Sequence, residues 1–391
     1  MLLNIDKVYY LNTYSPGHPT ATIQHTRPYL SNRNFNDQDY WLIQFSCDLS
    51  FKVYPFGLLV PEEVIDKIRN RQVFLILDNA YEYFYKVVES VYVDIVQQFN
   101  IPPEQIILSS GNYDLAHRVK QYAEQTNQQE LKVEYFNYYE LSTFNHYMHH
   151  RQKFIPTLQK TEYSKKFLCL NRRWRVHRTL LLTLLYNKNL IDQGHISFKH
   201  GEDNQSWQEM RNSMHHYYRQ HHETLKIIDQ CFLGIKEILP LNLDDVYLKP
   251  DQEYEMMLNP TMDHYYVDTY FSVVTETTHD RELEGRFITE KTFKPIALRH
   301  PFIMIGPARM LEALRELGYR TFDGIIDESY DQEPNEVKRI EMAVNEIERL
   351  SNLSGDELQN FIIRARDICF YNYVNFRNRD ITKFEYVRKM N

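Results

Sequence analysis

Four arginines, Arg172, Arg173, Arg175 and Arg178, stand between an apolar run, Lys165–Leu170, and a leucine-rich one, Thr179–Tyr186. Arginine holds phosphate through a planar, two-pronged contact and keeps its charge at any working pH. A helix starting at that point adds free amides and a favourable dipole. Strand, arginines and helix together predict a diphosphate-binding turn. The plainer alternative is that some of these arginines pair with surface acids, of which the chain has many (Asp+Glu 53).

A second set lies between Tyr270 and Gly306. Tyr270–Thr275 is rich in β-branched and aromatic residues and predicts a buried strand. Glu276-Thr277-Thr278 closes it, and a charged loop runs to Arg286. Thr289 is placed to cap a helix that begins at Glu290, which Pro295 should shorten. Pro301–Ile305 predicts the next strand. Glu290 suits a helix start, whereas Lys291 opposes the dipole there and is better explained by a bound anion. Two apolar strands joined by a helix predict a parallel crossover, with ligands collecting at the carboxyl ends of the strands.

The remaining elements must position these two sets. In the first half, strands are expected at Lys7–Leu11, Tyr40–Phe45, Val73–Leu77, Gln105–Leu108 and Lys132–Phe136, with helices from Pro61 to Ile68, about Tyr83 to Phe99, and about Asp114 to Gln125. This alternation predicts an open α/β layer over residues 1–160. Asp78 and Glu82 follow its strongest strand, where α/β domains carry reactive groups; either is a candidate base for an attacking hydroxyl. The competing reading has Asp78 capping a helix and Glu82 in solvent. Ser109, Ser110 and Asn112 hold the equivalent place after the next strand, lining a cleft or making a turn.

The second domain is expected over 161–370. It carries a polar insertion near 200–262, with a helix from about Gln205 to Gln230. Later helices are expected over Ala308–Leu317, Val337–Leu350, Asp356–Phe370 and Arg377–Met390, with a short strand at Tyr319–Phe322. The acids of Asp327–Asp331 either contact sugar hydroxyls or cap the next helix.

Glu276-Thr277-Thr278, Thr289-Glu290-Lys291 and Pro301–Gly306, in this order and spacing, resemble the donor-binding segment of the α1,3-fucosyltransferase-like group of GT-B glycosyltransferases. The run near residue 165 is similar to that family's strand leading to an Arg at a helix start, with Arg178 as the matching position. Thr277 stands where the family pattern has Asn. The likeness covers about a third of the chain. It implies two Rossmann-like α/β domains facing a cleft, and a nucleotide-sugar site built from Asn171, Arg172, Arg178, Glu276, Thr277, Glu290 and Lys291. In it, Arg178 and Lys291 neutralise the departing diphosphate, and Glu290 accepts from hydroxyls of the ribose or sugar. Asp78 or Glu82 deprotonates the acceptor, giving inversion with no metal. The C-terminal helix over 371–391 is expected to return across both domains. For the acceptor the alternatives are a protein, a lipid-linked sugar, a capsular glycan or another acceptor glycan, and a hydroxylated base of viral DNA. A non-catalytic nucleotide- or sugar-binding protein and an aromatic-faced interaction protein are the rivals.

Composition excludes other classes. With only 11 Gly, the chain has neither G-x-G-x-x-G nor a P-loop. A net charge of −8 gives no general attraction to nucleic acid. The four cysteines form no C-x-x-C pair, so neither a zinc site nor a disulfide framework is expected and a cytoplasmic setting fits. His146, His149 and His150 lack a nearby carboxylate, and Asp37-Gln38-Asp39 lies apart from the donor segment. The start Met1–Lys7 has no signal-peptide pattern, and no apolar run reaches the ~18 residues of a membrane span.

Overall fold

The computed structural model describes residues 39–44, 56, 60, 62–80, 88–147, 163–171, 174–198, 207–241, 243, 263–279 and 285–378. At 39–44, 78 and 145 this description is of the backbone alone. Contacts divide the chain into two compact units. The first is Met1–Ser142 with Arg281–Ile288 and Arg379–Asn391; the second is Thr143–Asp280 with Thr289–Asn378. The strand expected at Lys7–Leu11 lies outside the described residues.

The first unit is built on four parallel strands in the order β1 (Asp39–Gln44), β2 (Val73–Asn79), β3 (Ile106–Ser110) and β4 (Lys132–Tyr135). Leu75, Leu77, Ile106 and Leu108 alternate with their neighbours along two strands and so share one face, as the two-residue period requires. They pack on helix α1 (Glu62–Arg69), on α2 (Val88–Val91, which continues as a π-helical turn Tyr92–Gln97) and on α3 (Leu115–Thr126). Helix α4 (Tyr138–Asn145) follows β4; its Glu140 amide donates to the Asn137 side chain at 3.1 Å.

The second unit has four parallel strands in the order β6-β5-β7-β8. They are β5 (Lys165–Asn171), β6 (Gly194–Phe198), β7 (Thr269–Thr275) and β8 (Phe302–Ile305). Strand β6 carried no expectation; it is short, and only Ile196, Ser197 and Phe198 are buried. The chain moves outward from β5 to β6, then returns past β5 to β7. The pair β5–β7 is therefore the place where the winding reverses, and α/β sheets hold ligands outside the carboxyl ends of such a pair. Helix α5 (Val176–Asn187) follows β5 and is buried from His177 to Leu185.

Three expectations are corrected in this unit. The single helix expected over 205–230 is two, α6 (Trp207–Tyr217) and α7 (His222–Ile238). The turn between them is set by Tyr218, buried with its hydroxyl donating to Glu336. After α8 (Asp263–Tyr266) come α9 (Glu290–Ala297), α10 (Met310–Glu316), α11 (Glu336–Ser351) and α12 (Gly355–Asn378). No strand forms at 319–322, because the Phe322 amide and the Thr321 hydroxyl donate to the Glu328 carboxylate instead of to a strand. The two terminal helices expected at 356–370 and 377–390 are a single helix up to Asn378: Leu358, Ile362, Ala365, Cys369, Asn372 and Phe376 keep one buried face. Asn372, a poor helix former, clamps the backbone N–H and C=O of Arg320. Residues from 379 on lie outside the described set. Asp331 supports α10, the helix before it, by accepting from the Leu311 amide; the following helix, α11, is capped by Asn335.

Candidate functional site

Residues at the carboxyl ends of β5 and β7 converge through their side chains. Asn171, the last residue of β5, accepts from the Thr275 hydroxyl at the end of β7 and donates to Cys169 Sγ at 3.2 Å. His177 is fully buried; its Nε2 lies 3.0 Å from the Glu276 carbonyl, which can only accept, so the proton is on Nε2. Burial, with His279 and Arg178 adding to it, pushes His177 well below the ordinary histidine range, so the ring is neutral. Arg178 is 4% exposed and reaches the Thr275 carbonyl at 3.5 Å. Burial and then Arg175 pull its guanidinium down to about 10, while Glu290 and Glu276 oppose the shift. Arg175, in extended conformation before α5, gives that helix no side-chain cap.

Glu276 is 0% exposed and both its oxygens are engaged. Oε1 accepts from the Thr289 amide at 3.1 Å and the Thr292 hydroxyl at 2.5 Å; Oε2 accepts from the Thr289 hydroxyl at 2.5 Å. The carboxylate thus fastens the end of β7 to the start of α9. Burial raises its pKa, against the pull of Lys291 and these three donors. At the other end of the crossover, Gly306 leaves its carbonyl to Arg339 at 2.9 Å, and a Cβ added there would sit 3.4 Å from Glu276 Cβ. Arg339 also donates to the His279 carbonyl at 3.1 Å, so one buried guanidinium joins two loops of this edge.

Glu290 differs from Glu276. It is 4% exposed, its Oε1 accepts from Lys291 Nζ at 2.8 Å, and its Oε2 is buried with no hydrogen-bond partner among the described residues. Burial would raise this carboxyl, but Lys291 and Lys294 outweigh it and hold it below the usual carboxylate range. Lys291 Nζ also donates to Thr277 Oγ1 at 3.3 Å and Thr289 Oγ1 at 3.2 Å. The anion expected beside Lys291 is, within the chain, Glu290 itself. About a quarter of the lysine side chain (26%) remains exposed. Thr289 caps α9 by accepting from the Lys291 amide.

Asn171, Arg178, Glu276, Thr277, Glu290 and Lys291 therefore lie along one edge of the second unit. Arg172 and Glu82 are outside the described residues, as is the side chain of Asp78, whose backbone ends β2 opposite Gln44 and Ser109. Sequence reading placed Thr278 at this edge within Glu276-Thr277-Thr278 but gave no role to His177 or His279. The Thr278 hydroxyl is buried without a described partner, as is His177 Nδ1. The signal of the two histidines was weak, since a lone His carries no spacing pattern of its own.

The corresponding edge of the first unit is closed by the chain itself. Arg286 makes a buried two-pronged pair with Asp114, with bonds from 2.6 to 3.0 Å, and lies 4.9 Å above the Tyr113 ring. The Tyr113 amide donates to the Arg286 carbonyl, and Asn137 donates to that of Ile288. Phe287 sits against Gly111, where an added Cβ would come within 2.7 Å of its ring.

A Ser–His–Asp set occurs at the opposite edge of the second sheet, but Ser164 and Asp268 both meet His195 at Nε2, 3.3 and 3.2 Å away. A relay needs the two ring nitrogens separately, so this set ties strand starts together. Among the described residues no group of three or more His, Cys, Asp or Glu converges as a metal site, and no helix is long and apolar enough to cross a membrane.

No protein-family model and no curated protein matches the chain. Two solved structures are similar to it in general arrangement. An α,α-trehalose-phosphate synthase (UDP-forming) from Burkholderia vietnamiensis aligns at 11% identity and a TM-score of 0.47, over 91% of this chain and 75% of that one. An α,α-trehalose 6-phosphate synthase from Burkholderia multivorans aligns at 11% identity and a TM-score of 0.44, over 90% of this chain and 71% of that one.

Proposed function

We propose that the second unit binds a nucleotide sugar and that the protein is a glycosyltransferase, passing the sugar to an acceptor hydroxyl with inversion and without a metal. The observation that carries this reading is the meeting, at the reversal point of the second sheet, of the buried Arg178 and the partly exposed Lys291 with a Glu290 oxygen that has no partner among the described residues. Arg178 and the partly exposed Lys291 suit a diphosphate; Glu290 Oε2, without a partner among the described residues, suits a sugar or ribose hydroxyl, which would donate to it. The motif order Glu276-Thr277-Thr278, Thr289-Glu290-Lys291 and Pro301–Gly306 supports a relation to the α1,3-fucosyltransferase-like enzymes.

In the reaction the acceptor oxygen attacks the anomeric carbon, and the bond from that carbon to the diphosphate oxygen breaks. The acceptor proton passes to a first-unit carboxylate, for which Asp78 and Glu82 are the candidates. Charge grows on the leaving diphosphate, where Arg178 and Lys291 stabilise it most. Glu276 and Asn171 touch no ligand in this scheme; they hold Thr289-Glu290-Lys291 and the strand ends in place.

Release of nucleoside diphosphate from a panel of nucleotide sugars, with glycan and hydroxymethylated DNA as acceptors, tests the proposal. Release that depends on acceptor and is abolished in Glu290→Gln is expected. Tight nucleotide binding with no release under any acceptor would make the protein a binding module instead.

A further inference from the structure

The anion-binding residues leave one part of the edge unused. Beyond Thr277, whose hydroxyl receives Lys291, the chain continues to Thr278 and His279. His279 is two residues on from Thr277. Its ring stacks on His177 with centroids 4.6 Å apart and planes at 21°. On the other side it meets Tyr217, the last residue of α6, with 5.5 Å between centroids and 3.0 Å from Nε2 to the hydroxyl. Tyr217 is 38% exposed, among the few large side chains of the described residues left so open. The Arg339 bond to the His279 carbonyl fixes this loop from behind.

Two polar atoms beside this aromatic wall lack partners among the described residues. They are His177 Nδ1, an acceptor since the proton sits on Nε2, and the Thr278 hydroxyl, which can donate or accept. Both side chains are fully buried. Buried polar atoms are seldom left unsatisfied in native proteins, and His177 Nδ1 belongs to a ring stacked on that of His279. A ligand with a flat π face and polar edges fits such a wall; a second phosphate does not.

We propose that Tyr217, Thr278 and His279 form the subsite for the nucleobase of the bound nucleotide, with the Tyr217 ring as its stacking face and the Thr278 hydroxyl reading its edge. The inference rests on the nucleotide reading above and extends it to residues outside the diphosphate contacts. Aromatic stacking tolerates any base, so Tyr217 sets affinity and Thr278 sets preference among bases.

The test compares UDP, GDP and ADP with inorganic pyrophosphate as ligands, by calorimetric titration of the full chain. In Tyr217→Ala, affinity for the preferred nucleoside diphosphate should fall about tenfold while pyrophosphate affinity stays as in the wild type. Tyr217→Phe, which keeps the ring, should restore most of the loss, and Thr278→Val should narrow the gap between the preferred and the other bases. Equal losses for nucleotide and pyrophosphate in Tyr217→Ala, or no loss in either, would overturn the subsite. Wild-type protein that binds pyrophosphate and the three nucleotides equally would overturn it as well, leaving the anion site standing. Wild-type protein that binds none of the four would remove the nucleotide reading and this subsite together.

Discussion

The two sheets present the same kind of edge and use it in opposite ways. Both have four parallel strands whose carboxyl ends are crowded with polar residues. In the first unit the strands among the described residues run in simple order, β1 to β4, and the edge is filled by Gly285–Ile288. There Arg286 meets Asp114 with every bond short and the pair nearly dry. In the second unit the order reverses at β5, and the edge keeps buried atoms that have no partner among the described residues: Glu290 Oε2, Thr278 Oγ1 and His177 Nδ1. Polar crowding at a strand end therefore does not mark a binding site by itself. What separates the two edges is that the first is closed by its own buried ion pair, Arg286 with Asp114, although Ser109 Oγ there also has no partner among the described residues, whereas the second sets its unpartnered atoms beside Arg178 and the partly exposed Lys291.

The sharpest way to break the comparison is to remove one half of the first-unit pair. Asp114→Asn leaves Arg286 buried without its counter-ion and should cost about 3–5 kcal/mol of stability, read by urea unfolding. A loss under 1 kcal/mol would show that the Arg286 segment is not part of that unit's core. Acid should act next most strongly, and on the second unit. Burial holds His177 and His300 neutral, His300 down to about 4. Their folded pKa values lie below the unfolded value near 6.5, so the stability they carry is complete above that pH. It is lost as pH falls from about 6.5 toward 4, by an amount on the order of 3 kcal/mol for His300. Melting temperature should drop through that window and drop less in His300→Asn; a parallel pH course for the two proteins would contradict the assignment.

A finer contrast lies within the second edge. Glu276→Gln places an amide nitrogen among three donors and should cost about 1–3 kcal/mol of stability. Glu290→Gln keeps the shape of a side chain with one oxygen already unpartnered among the described residues, gives up its charge pair with the partly exposed Lys291, and should lower melting less than Glu276→Gln, yet abolish binding of a nucleotide sugar. If the two variants melt alike, the distinction between a satisfied and an unsatisfied carboxylate is lost.

Much of the second edge was readable in advance, because apolar runs followed by Thr-Glu-Lys, or by arginines, state strand, cap and charge within a few residues. Lys291 was read as a cation in need of a bound anion, and its immediate partner within the chain is the adjacent Glu290. The closing of the first edge was not readable. Asp114 and Arg286 are 172 positions apart, and nothing local in a charged loop says that it returns to the earlier unit. The continuous α12 was hidden for a similar reason: Asn372 and its tyrosine neighbours read as a break, whereas the Asn side chain is used to hold Arg320. Strand β6 is simply short.

The central claim, that the second edge is a nucleoside-diphosphate site, is tested most directly by titrating wild type and Lys291→Met with UDP, GDP and ADP in the presence of a chelator. The account predicts that one of these binds the wild type without divalent metal. It also predicts that affinity falls roughly tenfold to a hundredfold in Lys291→Met, the loss of one charge-assisted contact of about 1.5–3 kcal/mol, with melting unchanged. Binding that appears only when metal is restored, or that is identical in the two proteins, would contradict it.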